Sequence, residues 1–131
     1  MLPALVTLAA CAGTLAPPTA EGEELPCAAA LSQREAEACW SVAARSAEAA
    51  VDAHWAQVAA AVRAAGAADA DRLREAREAW LRYRDDHCSL YTLRLSGGSA
   101  ATTAGAVCHW RLARERMAEL LRLNEAWGTG R

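Results

Sequence analysis

The chain of 131 residues contains no phenylalanine and no lysine, and only two tyrosines and two methionines. Without Phe, five tryptophans and a few Leu and Val must supply most of the burial, at about 25 cal/mol per Å² of apolar surface. Hydrophobic residues make up 53% of the sequence, but much of that is alanine, which buries little area per residue. A small domain built this way gains from covalent cross-links. All 14 basic residues are arginine. That pattern reads as base-composition bias in a GC-rich genome, because no chemical reason would exclude lysine everywhere. Also missing is any apolar run near the roughly 20 residues that a membrane-spanning helix needs. No alternating strand pattern and no internal repeat is present. The serines lack a nucleophile-elbow context, and no Gly-rich phosphate loop follows a strand. Adjacent acids such as Asp85 and Asp86 diverge on a helix and would not flank a scissile bond. His54, His87 and His109 are scattered. These absences argue against an enzyme and leave no cofactor to expect.

Net charge is −2, which gives no sign of nucleic-acid binding. The charge is uneven. Residues 1–69 carry three Arg against eight acids, a net −5, and residues 70–131 carry eleven Arg against eight acids, a net +3. An acidic surface on the N-terminal half is one reading, and mixed charge on solvated helix faces is the plainer one.

The five cysteines divide into one and four. Cys11 follows the small-residue run Leu8-Ala9-Ala10, and residues 2–10 are uncharged and mostly apolar. That stretch has the length of a signal-peptide core. With a cysteine directly after it, the pattern predicts a bacterial lipoprotein signal over residues 1–10 with Cys11 as the lipid-attachment site. The alternative is an ordinary signal that discards Cys11. Met1-Leu2-Pro3 lacks the positive charge that usually opens such a signal, which leaves room for a start further upstream. Residues 11–26 hold Gly, Thr, paired prolines and three Glu, and read as a flexible tether. Fully stretched, it would reach roughly 50 Å. The expectation is an exported protein in the cell envelope or periplasm, lipid-anchored to a membrane through Cys11.

The body, residues 27–127, reads as all-α: a small bundle of three main helices. Ser32-Gln33-Arg34-Glu35 is a capping box that starts the first helix. Its stripe of Trp40, Ala44, Ala47, Val51, Trp55, Val58 and Val62 keeps to one face, and Gly66 ends it. A second helix is predicted from an N-cap at Asp69 or Asp71, through Leu73, Ala76, Trp80, Tyr83 and His87, to about Tyr91. Ser96-Gly97-Gly98-Ser99 breaks the chain. A third helix is predicted from about Thr102 to Ala126, with a stripe of Val107, Trp110, Arg114, Met117 and Leu121. Gly128 and Gly130 lie beyond it, and Trp127 follows its last apolar turn. The short connection predicts that the second and third helices form an antiparallel hairpin.

Four cysteines allow three pairings. In an antiparallel hairpin Cys88 and Cys108 become neighbours, so a Cys88–Cys108 bond would staple it. A Cys27–Cys39 bond would fold the incoming coil back along the first helix. Crossed pairings that tie the first helix to the other two remain open. A zinc site from His87-Cys88 and Cys108-His109 is the rival, but adjacent helical residues point about 100° apart and would not easily face one ion.

Leu73 to Cys88 reads LREAREAWLRYRDDHC. With the Gly97-Gly98-Ser99 loop and Cys108, this segment resembles the core of the LprI-like lysozyme-inhibitor family. The motif falls on Leu73, Trp80, Tyr83, Arg84, Asp85 and Cys88, and continues to Leu112, Arg116 and Leu120. Upstream, Cys27, Ser32-Gln33 and Cys39 are similar to the family's first cysteine pair. Arg77, Asp52 and Trp55 stand where the family has Gln, Asn and Tyr. The resemblance implies a secreted or lipid-anchored helical domain whose partner is a lysozyme or another envelope protein. It leaves a second function open: an envelope-structural or accessory lipoprotein that binds peptidoglycan or another envelope component and inhibits nothing. From spacing alone, Trp80, Arg84 and Cys88 share one helix face. Arg84 near the helix seam then needs an acid, with Glu48, Asp52, Glu115 and Glu119 as the candidates. The other reading aims Arg84 at an external carboxylate or phosphate.

Overall fold

The computed structural model describes residues 25–30, 32–66 and 70–129. The expected signal segment, Cys11, the tether up to residue 24, Asp69 and Gly130 lie outside the described residues. Three helices account for nearly all of the rest: α1 (Gln33–Ala64), α2 (Ala70–Arg94) and α3 (Ser99–Thr129).

The caps explain where the helices begin and end. Ser32 is extended at φ −131° and its Oγ accepts from the Glu35 amide at 3.2 Å, while its hydroxyl donates to Glu35 Oε2 at 2.9 Å. This satisfies an amide that the first helical turn would otherwise leave bare. Gly66, at φ +71°, turns the chain out of α1 in a conformation that costs a residue with a Cβ. Between α2 and α3 the backbone passes through three left-handed residues, Ser96, Gly97 and Gly98. Four boundaries differ from the sequence reading, two of them at C-terminal ends, where α2 runs to Arg94 and not about Tyr91, and α3 to Thr129 and not Ala126. Asp71 does not cap α2 but sits in its first turn, paired with Arg74 at 3.2 Å. α3 starts at Ser99, because the Thr102 amide already donates to Gly98 O at 3.2 Å, one turn back.

Contacts along the helices set their directions. Gln33 bonds Thr103, Trp40 packs edge-on against Trp110 with centroids 5.3 Å apart, and Arg116 lies over Trp55. Residue numbers rise together, so α1 and α3 run parallel. Arg77 meets Asp52 and Arg84 meets Glu48, so α2 runs against α1. α2 and α3 form an antiparallel hairpin with Cys88 bonded to Cys108 (Cα–Cα 5.6 Å), and Cys27 is bonded to Cys39 (Cα–Cα 5.8 Å). The broadest interface is between α1 and α3.

The core has two parts. Val51, Val58, Val62, Ala113 and Leu120 form the larger one, flanked by Ala47, Trp55, Leu73, Trp80 and Met117. Cys88, Cys108 and Leu112 form the smaller one, with Cys88 1% and Cys108 3% exposed. The expected α3 stripe needs correction. Arg114 and Leu121 face outward, and the buried α3 positions are Ala101, Cys108, Leu112, Ala113 and Leu120. The reason is that α3 touches two helices. Its buried wedge lies between their contact lines and includes small residues that a search for bulky apolar spacing passes over.

Closing a 20-residue loop constrains the unfolded chain by roughly 3 kcal/mol. Replacing both Cys88 and Cys108 with Ala is expected to lower unfolding free energy by about that amount, measured by urea denaturation. The Cys27→Ala, Cys39→Ala pair should cost less, because that bond ties a coil to one helix and not two core helices to each other.

Candidate functional site

Trp80, Arg84 and Cys88 recur at i, i+4 and i+8, and all three point into the seam where α2 meets the other helices. Arg84 is only 16% exposed. Of the four acids considered, Glu48 takes it, at 3.1 Å from Nη1, and Asp85 closes on Nη2 at 2.7 Å. Glu48 also receives His109 Nδ1 at 2.7 Å, so one α1 carboxylate joins α2 and α3. The Arg84 guanidinium lies over Trp80 at 5.5 Å. Arg116 sits against the same indole at 5.6 Å and against Trp55 at 5.9 Å, and donates to Glu119 at 3.0 Å. Arg is suited to this place because its planar, delocalised cation stacks on an aromatic face while its N–H groups still reach a carboxylate. No buried side-chain nitrogen or oxygen among the described residues lacks a partner.

Outside the seam, α2 presents an aromatic ladder. Tyr83 is 54% exposed and its ring lies 5.5 Å from His87, which lies 5.9 Å from Tyr91. Arg111 of α3 covers Tyr91 at 5.6 Å and donates to its hydroxyl at 3.2 Å. That hydrogen bond raises the Arg111 pKa further, so its charge is constant across physiological pH. Beside the ladder an open cleft of about 400 Å³ runs between α2 and α3, lined by Trp80, Tyr83, Leu112, Glu115, Arg116 and Glu119 among others. Its acids are held by arginines, Glu115 near Arg111 at 4.0 Å and Glu119 on Arg116. The arrangement offers aromatic area and fixed positive charge, a set suited to gripping a partner surface.

The motif residues therefore separate. Trp80 and Arg84 belong to the seam, Asp85 braces Arg84 from a 58% exposed position, and Tyr83 belongs to the outer ladder. The Cys88 and Cys108 sulfurs are bonded to each other. Their neighbours diverge, with His109 turned to Glu48 and His87 held between two tyrosines. His54 Nδ1 meets the Ala50 carbonyl at 3.0 Å. Sequence reasoning missed the His109–Glu48 bond and the double stacking of Arg116, which join residues more than 30 positions apart. It also missed the ladder, although Tyr83, His87 and Tyr91 are spaced four apart and that signal was available.

Replacing Arg84 with Met would leave Glu48 with His109 alone in a partly covered site. The expected outcome is a lower melting temperature, worth about 2 kcal/mol for a lost charge-assisted contact, with Lys recovering only part of it. Thermal unfolding followed by circular dichroism checks this.

No solved structure matches the chain. A curated relative, described as an uncharacterized protein of Rhizobium meliloti (strain 1021), is 34% identical over an alignment covering 95% of this chain and 94% of the relative. Residues 27–120, which span both disulfides, the seam and the ladder, match the family described as lysozyme inhibitor LprI. The chain belongs to the LprI lysozyme-inhibitor family.

Proposed function

We propose that this protein is an exported, lipid-anchored envelope module that binds a lysozyme and blocks it. The observation that carries the reading is the family match over residues 27–120, a stretch that holds every side chain of the seam and ladder. An inhibitor needs a rigid surface. Two disulfides and a fully partnered seam supply one, because a preorganised face loses little entropy on docking. No described helix is long and apolar enough to cross a membrane. In this reading membrane attachment comes from lipid on Cys11, and residues 12–24 place the bundle away from the bilayer.

Two measurements test the reading. Purified protein at micromolar concentration is expected to slow lysozyme-driven lysis of cell-wall suspensions in a dose-dependent way, and no slowing against any of several lysozymes removes the inhibitor function. Cys11→Ser is expected to move the protein from the membrane fraction to the soluble one. Unchanged membrane retention would exclude the anchor.

A further inference from the structure

Three leucines face water at one end of the bundle. Leu90, Leu93 and Leu95, at the end of α2 and in the turn towards α3, are 64%, 72% and 42% exposed. Leu90 and Leu93 share a helix face, and the Leu95 amide closes the turn on the Thr92 carbonyl at 3.1 Å. The Ser96-Gly97-Gly98-Ser99 loop beyond them is uncharged. Between Cys88 and Cys108 there is no carboxylate and one arginine, Arg94, whereas 23% of the whole chain is charged. The acids nearest this tip are Asp86, one turn before Leu90, and Glu35 and Glu37 beside Arg34 in the first two turns of α1.

The chain enters the bundle at the same end. Gln33 bonds Thr103, so α1 and α3 start together. Cys27 is tied to Cys39, six residues into α1 and so about 9 Å from its start. A coil of the length of residues 12–24 spans about 20 Å, and at most about 45 Å when straight. A short lead from Cys11 is therefore enough to bring the tip to the bilayer that would hold its lipid. The other exposed apolar group, Leu121, Leu123 and Trp127, lies about 33 to 42 Å along α3 from this end. It is also interleaved with Glu119, Arg122 and Glu125.

We propose that the leucine tip is a membrane-contact surface whose occupant is the headgroup region of a phospholipid bilayer. The proposal rests on the anchored-envelope reading above and adds how the bundle is oriented. Leu93, Leu95 and the loop enter the interface, Leu90 lies at its rim, and Arg94 keeps its charge among the lipid phosphates. No carboxylate of the tip has to leave water. Asp86, Glu35 and Glu37 limit the depth, so only the tip touches and the body of the bundle stands off the bilayer. Three leucines alone bind weakly. A lipid attached close by keeps them at high local concentration, which fills such a contact.

The test uses the full chain, lipidated at Cys11, on vesicles of phosphatidylcholine with a minor share of phosphatidylglycerol. Leu93→Cys and Leu121→Cys each carry an environment-sensitive fluorophore, and spin-labelled lipid is the quencher. Quenching at position 93 is expected to exceed that at 121 about fivefold or more. A second measurement needs no anchor. Unlipidated Cys11→Ser protein should sediment weakly with the same vesicles, and adding Leu93→Asp and Leu95→Asp should weaken this about tenfold. Both positions are exposed, so the melting temperature should stay within about 2 °C of the parent. Equal quenching at the two positions, or sedimentation unchanged by the aspartates, overturns the tip contact and leaves the anchor standing. A blue shift at position 93 that grows with protein concentration in lipid-free buffer assigns the tip to a second copy and also overturns it. If Cys11→Ser stays in the membrane fraction like the parent, the anchor fails, and loss of sedimentation in the aspartate variant still upholds the tip.

Discussion

The Cys88–Cys108 bond sits inside the fold, and most of the hairpin follows from it. Its sulfurs are among the least exposed side-chain atoms of α2 and α3, and with Leu112 they form a core cluster of their own. A chain without Phe has few side chains large enough to fill that position, so the cystine supplies both the cross-link and the apolar volume. The bond fixes one end of the α2–α3 pair. From there the two helices run side by side, and Trp80 comes against Arg116 at the far side of the cleft. The Cys27–Cys39 bond acts differently, since it holds the entering chain against the start of α1 and leaves the packing between helices alone.

Between the helices, arginine does work that large hydrocarbons do elsewhere. Two guanidinium groups lie against Trp80, those of Arg84 and Arg116. Arg116 fills the space between two indoles. Such side chains bury their stems and their planar heads while keeping hydrogen bonds to Glu48, Asp85 and Glu119. Glu48 is the joint of this arrangement, because it accepts from α2 through Arg84 and from α3 through His109. The small residues of the α1–α3 interface, such as Ala44 and Ala113, bring the backbones close enough for that joint to close.

The same helix that enters the seam carries the outer ladder. Trp80 and Arg84 look inward and Tyr83 looks outward, one residue from Arg84 and on another face. A motif read as one string therefore serves two purposes. Its inward members hold the helix in register, and Tyr83 presents aromatic surface to solvent. The rigid part and the exposed part share a single helix, so no flexible link lies between them.

Much of this was legible in the sequence, and the boundary has a physical cause. The all-α class, the start and end of α1 and its buried stripe of Ala44, Val51, Val58 and Val62 follow from local rules, namely the Ser32–Glu35 box, Gly66 and a 3.6-residue period. The hairpin break at Gly97-Gly98 follows from conformations only glycine adopts readily. The α3 core was only partly legible, because burial there depends on two neighbouring helices at once: Met117 of the expected stripe packs on the core, while Arg114 and Leu121 face outward. Spacing narrowed the partner of Arg84 to four acids. Only the tertiary arrangement chose Glu48, because that choice depends on the rotation of α1 against α2, which no residue fixes locally. The parallel pairing of α1 with α3 and the stacking of Arg116 on two indoles were likewise decided by packing between segments far apart in the chain.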